Sequence, residues 1–215
     1  MKNFAIVLSG CGVYDGAEIH EAVMTMLAIG KAGAAYQVFA PDMLQHHVVN
    51  HITGEEMPEK RNVLVESARI ARGNIKPLSE YDPNEFDALI FPGGFGVAKN
   101  LCTFAFDGAD CEANHEVEKA VKATHALKKP IGALCIAPAM ISKLLRDVEL
   151  TIGQDAATAE IITKMGSKHV KTTHGEVVVD RKNNIFTTPC YMLDASIVEV
   201  ELGAMNIVEA MMEAM

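Results

Sequence analysis

The sequence predicts an α/β protein in which helices cover both faces of a mostly parallel β-sheet. Short, almost continuous apolar runs such as Asn3–Leu8 and Asp87–Phe91 are typical of strands that are buried on both faces. Helical spacing of apolar residues follows the first run, and a second strand completes a strand–helix–strand unit by Pro41. We therefore expect a three-layer sandwich around a doubly wound sheet, formed by a single domain over residues 1–215.

The other elements follow from apolar spacing and from residues that begin or end helices. The sequence predicts strands at Asn3–Leu8, Tyr36–Phe39, Asp87–Phe91 and Pro130–Leu134, and a hairpin of Val177–Asp180 with Ile185–Thr188. Helices are predicted at about 17–31, after a cap at Asn62, at about 114–128, from Cys135 through Leu145, at about 156–165 and in the last twenty residues.

Charge and cysteine content limit the classes of function and the compartment. The chain has 28 acidic and 19 basic residues and a net charge of -9, without the basic stripe that nucleic-acid binding requires. No apolar run approaches the roughly 20 residues that a membrane span needs. The five cysteines form no CxxC pair, and the apolar run Phe4–Leu8 is too short for a secretion signal. We therefore expect a cytoplasmic protein that binds neither nucleic acid nor membrane.

Cys135 is the strongest candidate for a catalytic residue. Ligands of doubly wound sheets lie beyond the carboxyl ends of the strands, where the loops Ser9–Gly16 and Pro92–Gly96 also belong. Cys135 lies between the predicted strand Pro130–Leu134 and a helix, which is the position of a nucleophile on a sharp strand-to-helix turn. The positive end of that helix would lower the pKa of a thiol. The alternative is a small, buried core residue.

Glu18 is the second candidate. The spacing of Asp15 and Glu18 fits a capping box, with Asp15 at the N-cap and Glu18 at the third helical position. The same placement brings a carboxyl to the strand ends, where it could move a proton. The sequence does not favour either interpretation, and Glu21, one helical turn further, is the alternative candidate for the carboxyl.

Two glycine loops and several histidines have weaker signals. Gly10, Gly12 and Gly16 follow a strand, but the spacing GxGxxxG is one residue too long for a dinucleotide-binding turn. Pro92-Gly93-Gly94 could supply an amide to an oxyanion hole or simply form a tight turn. His46, His47 and His51 lack a nearby carboxylate or thiol, so we expect no metal site. Either His169 or His174 could fold toward Cys135.

The segment 131–138 (IGALCIAP), together with the strand end Phe91–Gly94 and a carboxyl at Glu18, resembles the ThiJ/PfpI superfamily. That superfamily has the class I glutamine-amidotransferase-like fold, of flavodoxin-like type. The segments 8–16 (LSGCGVYDG), 50–55 (NHITGE) and 187–192 (TTPCYM) are similar to its ElbB-type branch, which is described as a glyoxalase and historically as isoprenoid-biosynthesis-enhancing.

The resemblance implies that Cys135 is a nucleophile and that Glu18 is the carboxyl that hydrogen-bonds it. It implies an oxyanion hole formed by the backbone amides of Gly94 and Ile136. The pocket would be lined by Cys11, Gly12, Gly93 and Cys190. Many relatives have a histidine directly after the nucleophile, where this chain has Ile136, so we do not expect a Cys-His-acid triad.

The function that this resemblance implies is that of a cofactor-independent glyoxalase, a lyase of the glyoxalase III kind. Cys135 would add to glyoxal or methylglyoxal, and Glu18 would move a proton to give glycolate or lactate without metal or glutathione. The same thiol could show apparent deglycase activity, and a homodimer is expected. Two other classes stay open, namely a redox or stress sensor based on Cys135 and a small-molecule or nucleotide-binding module based on the glycine loops.

Overall fold

The computed structural model describes all 215 residues and has the predicted α/β architecture. The strands are β1 Asn3–Val7, β2 Ala35–Ala40, β3 Ile75–Pro77, β4 Ala88–Phe91, β5 Ile131–Leu134, β6 Glu149–Leu150, β7 Lys168–His169, β8 Val178–Asp180 and β9 Ile185–Thr188. The helices are α1 Ile19–Lys31, α2 Val63–Ile70, α3 Phe104–Asp107, α4 His115–Ala126, α5 Ala137–Leu145, α6 Ala156–Lys164 and α7 Ile197–Glu213. None of the helices has both the length and the apolar character needed to cross a bilayer.

Seven of the strands form one sheet in the order β3-β2-β1-β4-β5-β9-β8. Every neighbouring pair in this sheet is parallel except β8 and β9, which form the predicted antiparallel hairpin. The winding direction reverses between β1 and β4, because β2 lies on one side of β1 and β4 on the other. The loops that follow β1 and β4 therefore meet in the crevice where ligands of such sheets bind.

Helices cover both faces of this sheet and bury its apolar side chains. On one face, Ile6 of β1 belongs to the same buried cluster as Ile29 of α1 and Ile207 of α7. On the other face, Leu89 of β4 packs in a cluster with α4 and α5. This is the three-layer arrangement that the continuous apolar strands predict, since a strand buried on both faces needs helices on both sides.

The start of α1 differs from the predicted capping box. The N-cap is Glu18, not Asp15, and the Glu18 carboxylate accepts the backbone N–H of Glu21 at 2.7 Å. Asp15 is engaged elsewhere, because its carboxylate accepts the N–H of Val49 at 2.7 Å from the loop between β2 and α2. The helix consequently begins at Ile19, two residues later than the predicted start at about residue 17.

The segment between β4 and α4 is more regular than the sequence suggests. A π-helical turn at Val97–Leu101 leads into α3 and then into a 3₁₀ turn at Gly108–Asp110. The short strands β3, β6 and β7 are also additions to the predicted set. They contain only two or three residues each, which is too short for a recognisable alternation of apolar and polar residues.

Candidate active site

Cys135 occupies a strained turn between β5 and α5. Its φ of 59° lies in the left-handed region, which is unusual for a residue with a side chain. The Cys135 amide donates to the carbonyl of Thr188 in the neighbouring strand β9 at 3.0 Å, and this bond extends the parallel ladder into the turn. The side chain is only 7% exposed. The geometry is that of a nucleophile turn at the carboxyl edge of the sheet.

The carboxyl next to the Cys135 sulfur belongs to Glu21. This side chain is fully buried, and its Oε2 lies beside the sulfur, since a Cβ atom on Gly93 would be 2.7 Å from Oε2 and 3.0 Å from the Cys135 Sγ. Its Oε2 accepts the N–H of Gly93 at 2.9 Å, and its Oε1 accepts the N–H of Tyr191 at 3.2 Å. Three segments of the chain, after β4, after β5 and after β9, therefore hold the carboxyl and the thiol together.

The expectation that Glu18 would hydrogen-bond the thiol is wrong. Its carboxylate accepts the Glu21 N–H and caps α1, so it points at the helix end and not at Cys135. Glu21 lies one turn further along the helix, where the side chain faces the sheet edge. Glu18 still acts on the site through its charge, because it contributes to raising the pKa of Glu21.

Gly93 separates the thiol from the carboxyl and leaves no room for a side chain. A Cβ atom at this position would lie 2.4 Å from the Cβ of Cys135 and 2.7 Å from Oε2 of Glu21. Gly94 is equally constrained, because its φ is 99° and a Cβ would lie 2.3 Å from the amide nitrogen of Glu18. Gly93 therefore permits the close approach of the thiol and the carboxyl, and Gly94 permits the loop after β4 to pack against the backbone that precedes α1.

Two backbone amides, of Gly94 and Ile136, lie beside Cys135. The Gly94 N–H is directed at the Cys135 sulfur and favours its charged form. The Ile136 amide, at the N-cap of α5, donates no hydrogen bond within the protein. A free amide beside a cysteine at a helix start is suited to stabilise an oxyanion. The roles expected for Gly94 and Ile136 are therefore compatible with the geometry.

Burial controls the protonation of this pair. It raises the pKa of Glu21 to about 8, with the negative charge of Glu18 acting in the same direction against the two backbone amides. Burial and the neighbouring Glu21 also raise the pKa of Cys135. The pKa of Cys135 is therefore not lowered as the helix dipole predicts. The free-energy cost of removing the thiolate from water and placing it beside a carboxyl exceeds the stabilisation that the helix end provides. At neutral pH the resting pair holds its protons.

The residues expected to line the pocket divide into two groups. Gly93 and Cys190 adjoin the pair, and the buried Cys190 also has a positive φ of 41°. Cys11 instead lies among the charges of Glu66 and Arg69, and Gly12 packs against the ring of His51. Cys11 thus lies on the side of the β1–α1 loop that faces α2, and Gly12 faces the loop between β2 and α2.

His20, which the sequence did not single out, is linked to the site through Tyr191. Its Nδ1 hydrogen-bonds the hydroxyl of Tyr191 at 2.8 Å, and the Tyr191 amide holds Glu21. His169 and His174 do not reach Cys135, since His169 accepts the amide of Ile152 and His174 bonds the carbonyl of Asp194. Only the position of His20 next to Glu21 on α1 could have indicated its place.

The three histidines of the loop between β2 and α2 do not converge on a point. His46 and His47 pack against Phe106, whereas His51 stacks on Tyr14 and uses both ring nitrogens in hydrogen bonds to backbone groups. No cluster of three or more His, Cys, Asp or Glu side chains suited to a metal ion is present.

Curated relatives match almost the whole chain. No family model matches it. A human protein named glutamine amidotransferase-like class 1 domain-containing protein 3, mitochondrial, is 48% identical over 219 residues, which cover 97% of this chain and 82% of that protein. A rat protein named ES1 protein homolog, mitochondrial, is 47% identical over the same shares.

Solved structures agree with this relationship. An isoprenoid biosynthesis protein with an amidotransferase-like domain from Ehrlichia chaffeensis superposes with a TM-score of 0.92 and 41% identity, covering 99% of this chain and 100% of that one. A protein from Candida albicans described as glyoxalase III superposes with a TM-score of 0.64 over 99% of this chain and 97% of that one. Its identity is only 16%, so this likeness concerns the fold.

The expectation of a cytoplasmic protein is contradicted by the curated relatives, which are named as mitochondrial proteins. The expectation rested on reduced cysteines and on the absence of a secretion signal. Free thiols indicate a reducing environment, and that property does not distinguish the cytoplasm from other reducing compartments.

Proposed function

Because this chain belongs to the family of the ES1 and glutamine amidotransferase-like class 1 domain-containing proteins, within the ThiJ/PfpI superfamily, we propose that it is a cofactor-independent glyoxalase. The substrate class is small α-oxoaldehydes such as glyoxal and methylglyoxal, and the product is the corresponding 2-hydroxy acid. The observation that carries the proposal is the placement of the Cys135 thiol and the buried Glu21 carboxyl side by side at Gly93, with Cys135 at a strained turn. Glu21 replaces Glu18 in the acid–base role.

The pair supports a sequence of proton transfers that needs no other group. The Glu21 carboxylate takes the thiol proton, and the Cys135 sulfur adds to the aldehyde carbon. The oxygen that gains charge is held by the amides of Ile136 and Gly94, and Glu21 returns the proton to give a hemithioacetal. Glu21 then removes the hydrogen from that carbon and delivers it to the neighbouring carbon through an enediol. Water hydrolyses the resulting thioester, releasing the 2-hydroxy acid and the thiol.

The solved Candida albicans structure described as glyoxalase III gives the proposal a second line of support, because this chain has the same fold over nearly its full length. The site itself favours proton transfer over hydrolysis by a triad. No histidine contacts Cys135, and the group that does is an acid with its pKa raised to about 8. An acid of that pKa can both accept and donate a proton near neutral pH.

The structure is less favourable to the two alternative classes. A redox sensor needs an accessible thiol of low pKa, whereas Cys135 is buried and its pKa is raised. A nucleotide site on the β1–α1 loop needs free amides, but the N–H groups of Gly10, Gly12 and Gly16 donate to Ser67, Ala17 and Gly12 within the protein. The glycine loop is closed on itself by these bonds.

The test is the conversion of glyoxal to glycolate by purified protein without glutathione. We expect turnover by the wild-type protein after treatment with a chelator, and none above background by Cys135→Ser, because a neutral hydroxyl without a histidine base is a weak nucleophile. The matched control is Cys102→Ser, a substitution of a buried thiol outside the site. Absence of turnover by folded wild-type protein, or equal turnover by Cys135→Ser, would overturn the proposal.

We also propose that the chain forms a homodimer through the outer surface of α1. Ile19, Val23 and Leu27 recur every four residues on this helix and are each more than 40% exposed. Three apolar side chains in one stripe on the solvent face are unusual for a surface helix of a monomer.

A further inference from the structure

Tyr191, which lies outside the reacting pair, is attached to the start of α1 at two points. Its backbone amide donates to Oε1 of the buried Glu21 at 3.2 Å. A hydrogen bond of 2.8 Å joins its hydroxyl to Nδ1 of His20, and the two rings lie 5.9 Å apart. Consecutive residues of a helix point about 100° apart, so Glu21 is buried while the neighbouring His20 is exposed. Tyr191 therefore binds both the buried and the exposed side of one helical turn.

The inner attachment, from the Tyr191 amide to Glu21, is the one that needs support. The 3₁₀ turn Cys190–Met192 that carries Tyr191 begins at a residue with a φ of 41°, and such strain persists only where the surrounding structure enforces it. No side chain caps this turn. The amide bond is also longer than the 2.9 Å bond that Gly93 donates to the other carboxyl oxygen. The outer bond to His20 restrains the Tyr191 ring and, with it, the amide.

The two amides together determine how the Glu21 carboxyl is rotated. Oε2 accepts the Gly93 amide and lies beside the Cys135 sulfur, whereas Oε1 accepts the Tyr191 amide. The terminal torsion of a glutamate side chain is soft, so a carboxyl that is held by one oxygen alone can rotate about its last C–C bond. Loss of the Tyr191 amide would therefore loosen Oε2 next to the sulfur.

We propose that His20 and Tyr191 are positioning residues for Glu21, because the bond between the His20 ring and the Tyr191 hydroxyl holds the Tyr191 amide on the carboxyl. This inference rests on the acid–base role of Glu21 in the proposed function and extends it to two residues that act through Glu21. A group that transfers protons is most effective when it is already in place as the substrate binds.

This arrangement has a measurable effect on protonation. Burial and the charge of Glu18 raise the pKa of Glu21 to about 8, and the Tyr191 amide opposes them by stabilising the carboxylate. Weakening the amide bond should therefore raise the pKa of Glu21 further. The other ionisable groups that face Glu21 are Cys135, after β5, and Cys190, after β9. Substitutions at Tyr191 and His20 leave these groups and Glu18 unchanged.

The test is the pH dependence of Cys135 alkylation in the folded, full-length protein, which requires no glyoxal. After limiting iodoacetamide, the tryptic peptide Lys129–Lys143 reports this reaction, because Cys135 is its only cysteine. The wild-type rate should rise through about pH 8, where the thiol and Glu21 lose their first proton. In Tyr191→Phe the midpoint should move up by about 0.5–1 pH unit. No charge is lost in this variant, since burial raises the pKa of the Tyr191 hydroxyl and keeps it protonated.

Two variants of His20 separate the effect of the bond from that of an ionisable ring. His20→Ala removes the bond and should move the midpoint in the same direction as Tyr191→Phe, and the double variant should move it no further. His20→Asn removes the ring but places a polar atom where Nδ1 lies, so it should keep the wild-type midpoint. The matched control is Tyr81→Phe, which deletes a hydroxyl bonded to Thr124 at 2.8 Å outside the site and should leave the midpoint unchanged.

The variants of the exposed His20 are expected to fold, so the test does not depend on the tolerance of Tyr191 to substitution. The proposal is overturned if folded Tyr191→Phe or His20→Ala is alkylated with the wild-type midpoint, or if His20→Asn shifts the midpoint as far as His20→Ala. Glyoxal turnover is a separate readout. Wild-type protein that shows the expected alkylation profile but does not convert glyoxal would refute the glyoxalase proposal and leave the positioning role of His20 and Tyr191 intact.

Discussion

Replacing Glu21 with Gln tests the most specific feature of the site, an acid that keeps its proton in the folded protein. The amide has nearly the same shape as the protonated carboxyl, but it cannot ionise. Both carboxyl oxygens of Glu21 accept backbone N–H groups, from Gly93 and Tyr191. Gln has a single acceptor oxygen, so one of these N–H groups will face an NH₂ group. A buried donor without a partner costs about 1–3 kcal/mol of folding free energy.

The ionisable proton adds a dependence on pH that the variant lacks. Glu21 has an ordinary pKa of 4.5 when unfolded and a pKa of about 8 in the folded protein. The folded state holds the proton more tightly, so its contribution to stability is complete below pH 4.5 and is lost as the pH rises to about 8. At about 1.4 kcal/mol per pH unit, this loss approaches about 5 kcal/mol.

The assay is urea unfolding of both proteins between pH 5 and 9. At pH 5 we expect Glu21→Gln to be less stable than the wild-type protein by about 1–3 kcal/mol. With rising pH the wild-type free energy of unfolding should fall relative to the variant, and the order should reverse between about pH 6 and 7.5. Glyoxal turnover should fall by roughly 10²–10⁴ in the variant.

Glu18→Gln is the matched control, because it changes the helix cap and leaves the thiol partner in place. It should reduce stability by about 0.5–2 kcal/mol, as expected for a weakened cap, and retain most of the pH dependence. Parallel pH profiles for wild type and Glu21→Gln would refute the assignment of a protonated, buried Glu21. Equal loss of turnover in Glu21→Gln and Glu18→Gln would refute the assignment of Glu21 as the acid and Glu18 as the helix cap.

Three further outcomes follow from the same geometry. For the wild-type protein, kcat/KM with glyoxal should increase with pH through about 8, because the Cys135–Glu21 pair must lose a proton before the sulfur can attack. A kcat/KM that is independent of pH from 6 to 9 would contradict this. Gly93→Ala should reduce turnover more than roughly 10²-fold and destabilise the protein by about 1–3 kcal/mol, since the new Cβ overlaps both reacting groups. The control Gly30→Ala, which adds a Cβ in open space on α1, should stabilise the protein by about 0.5–1 kcal/mol in thermal unfolding. Leu27→Glu should convert the proposed dimer to a monomer in light-scattering measurements, and an unchanged mass would reject the α1 interface.

The fold was predictable because its signals are local. Buried parallel strands such as Ala88–Phe91 are continuous apolar runs, and helix α2 begins after Asn62, whose side chain caps it as the sequence indicates. Cys135 was predictable for the same reason, since an apolar strand followed at once by an apolar helix defines the turn. The residues whose roles were predicted wrongly depend on contacts between segments that are distant in the sequence.

Glu18 and Glu21 illustrate that dependence. A capping box at Asp15 would have placed Glu18 one turn into the helix, but Asp15 binds the amide of Val49, which lies 34 residues away. No local pattern contains that bond, and it decides which glutamate faces the thiol. The raised pKa values likewise arise from burial by residues of three separate loops. The amide of Tyr191, which holds Glu21, comes from the opposite end of the chain.

The bond between the Cys135 amide and Thr188 has a consequence for biosynthesis. The turn that holds Cys135 in its left-handed backbone conformation is completed by β9, whose Thr188 is made 53 residues after Cys135. Tyr191, which positions the acid, is made later still. A nascent chain that has already produced Cys135 therefore lacks the partner strand that orders it. Pairing between segments so distant in sequence is also a slow step in folding. The thiol should accordingly acquire its enclosed, acid-paired state only after β9 and Tyr191 have left the ribosome and β9 has paired with β5.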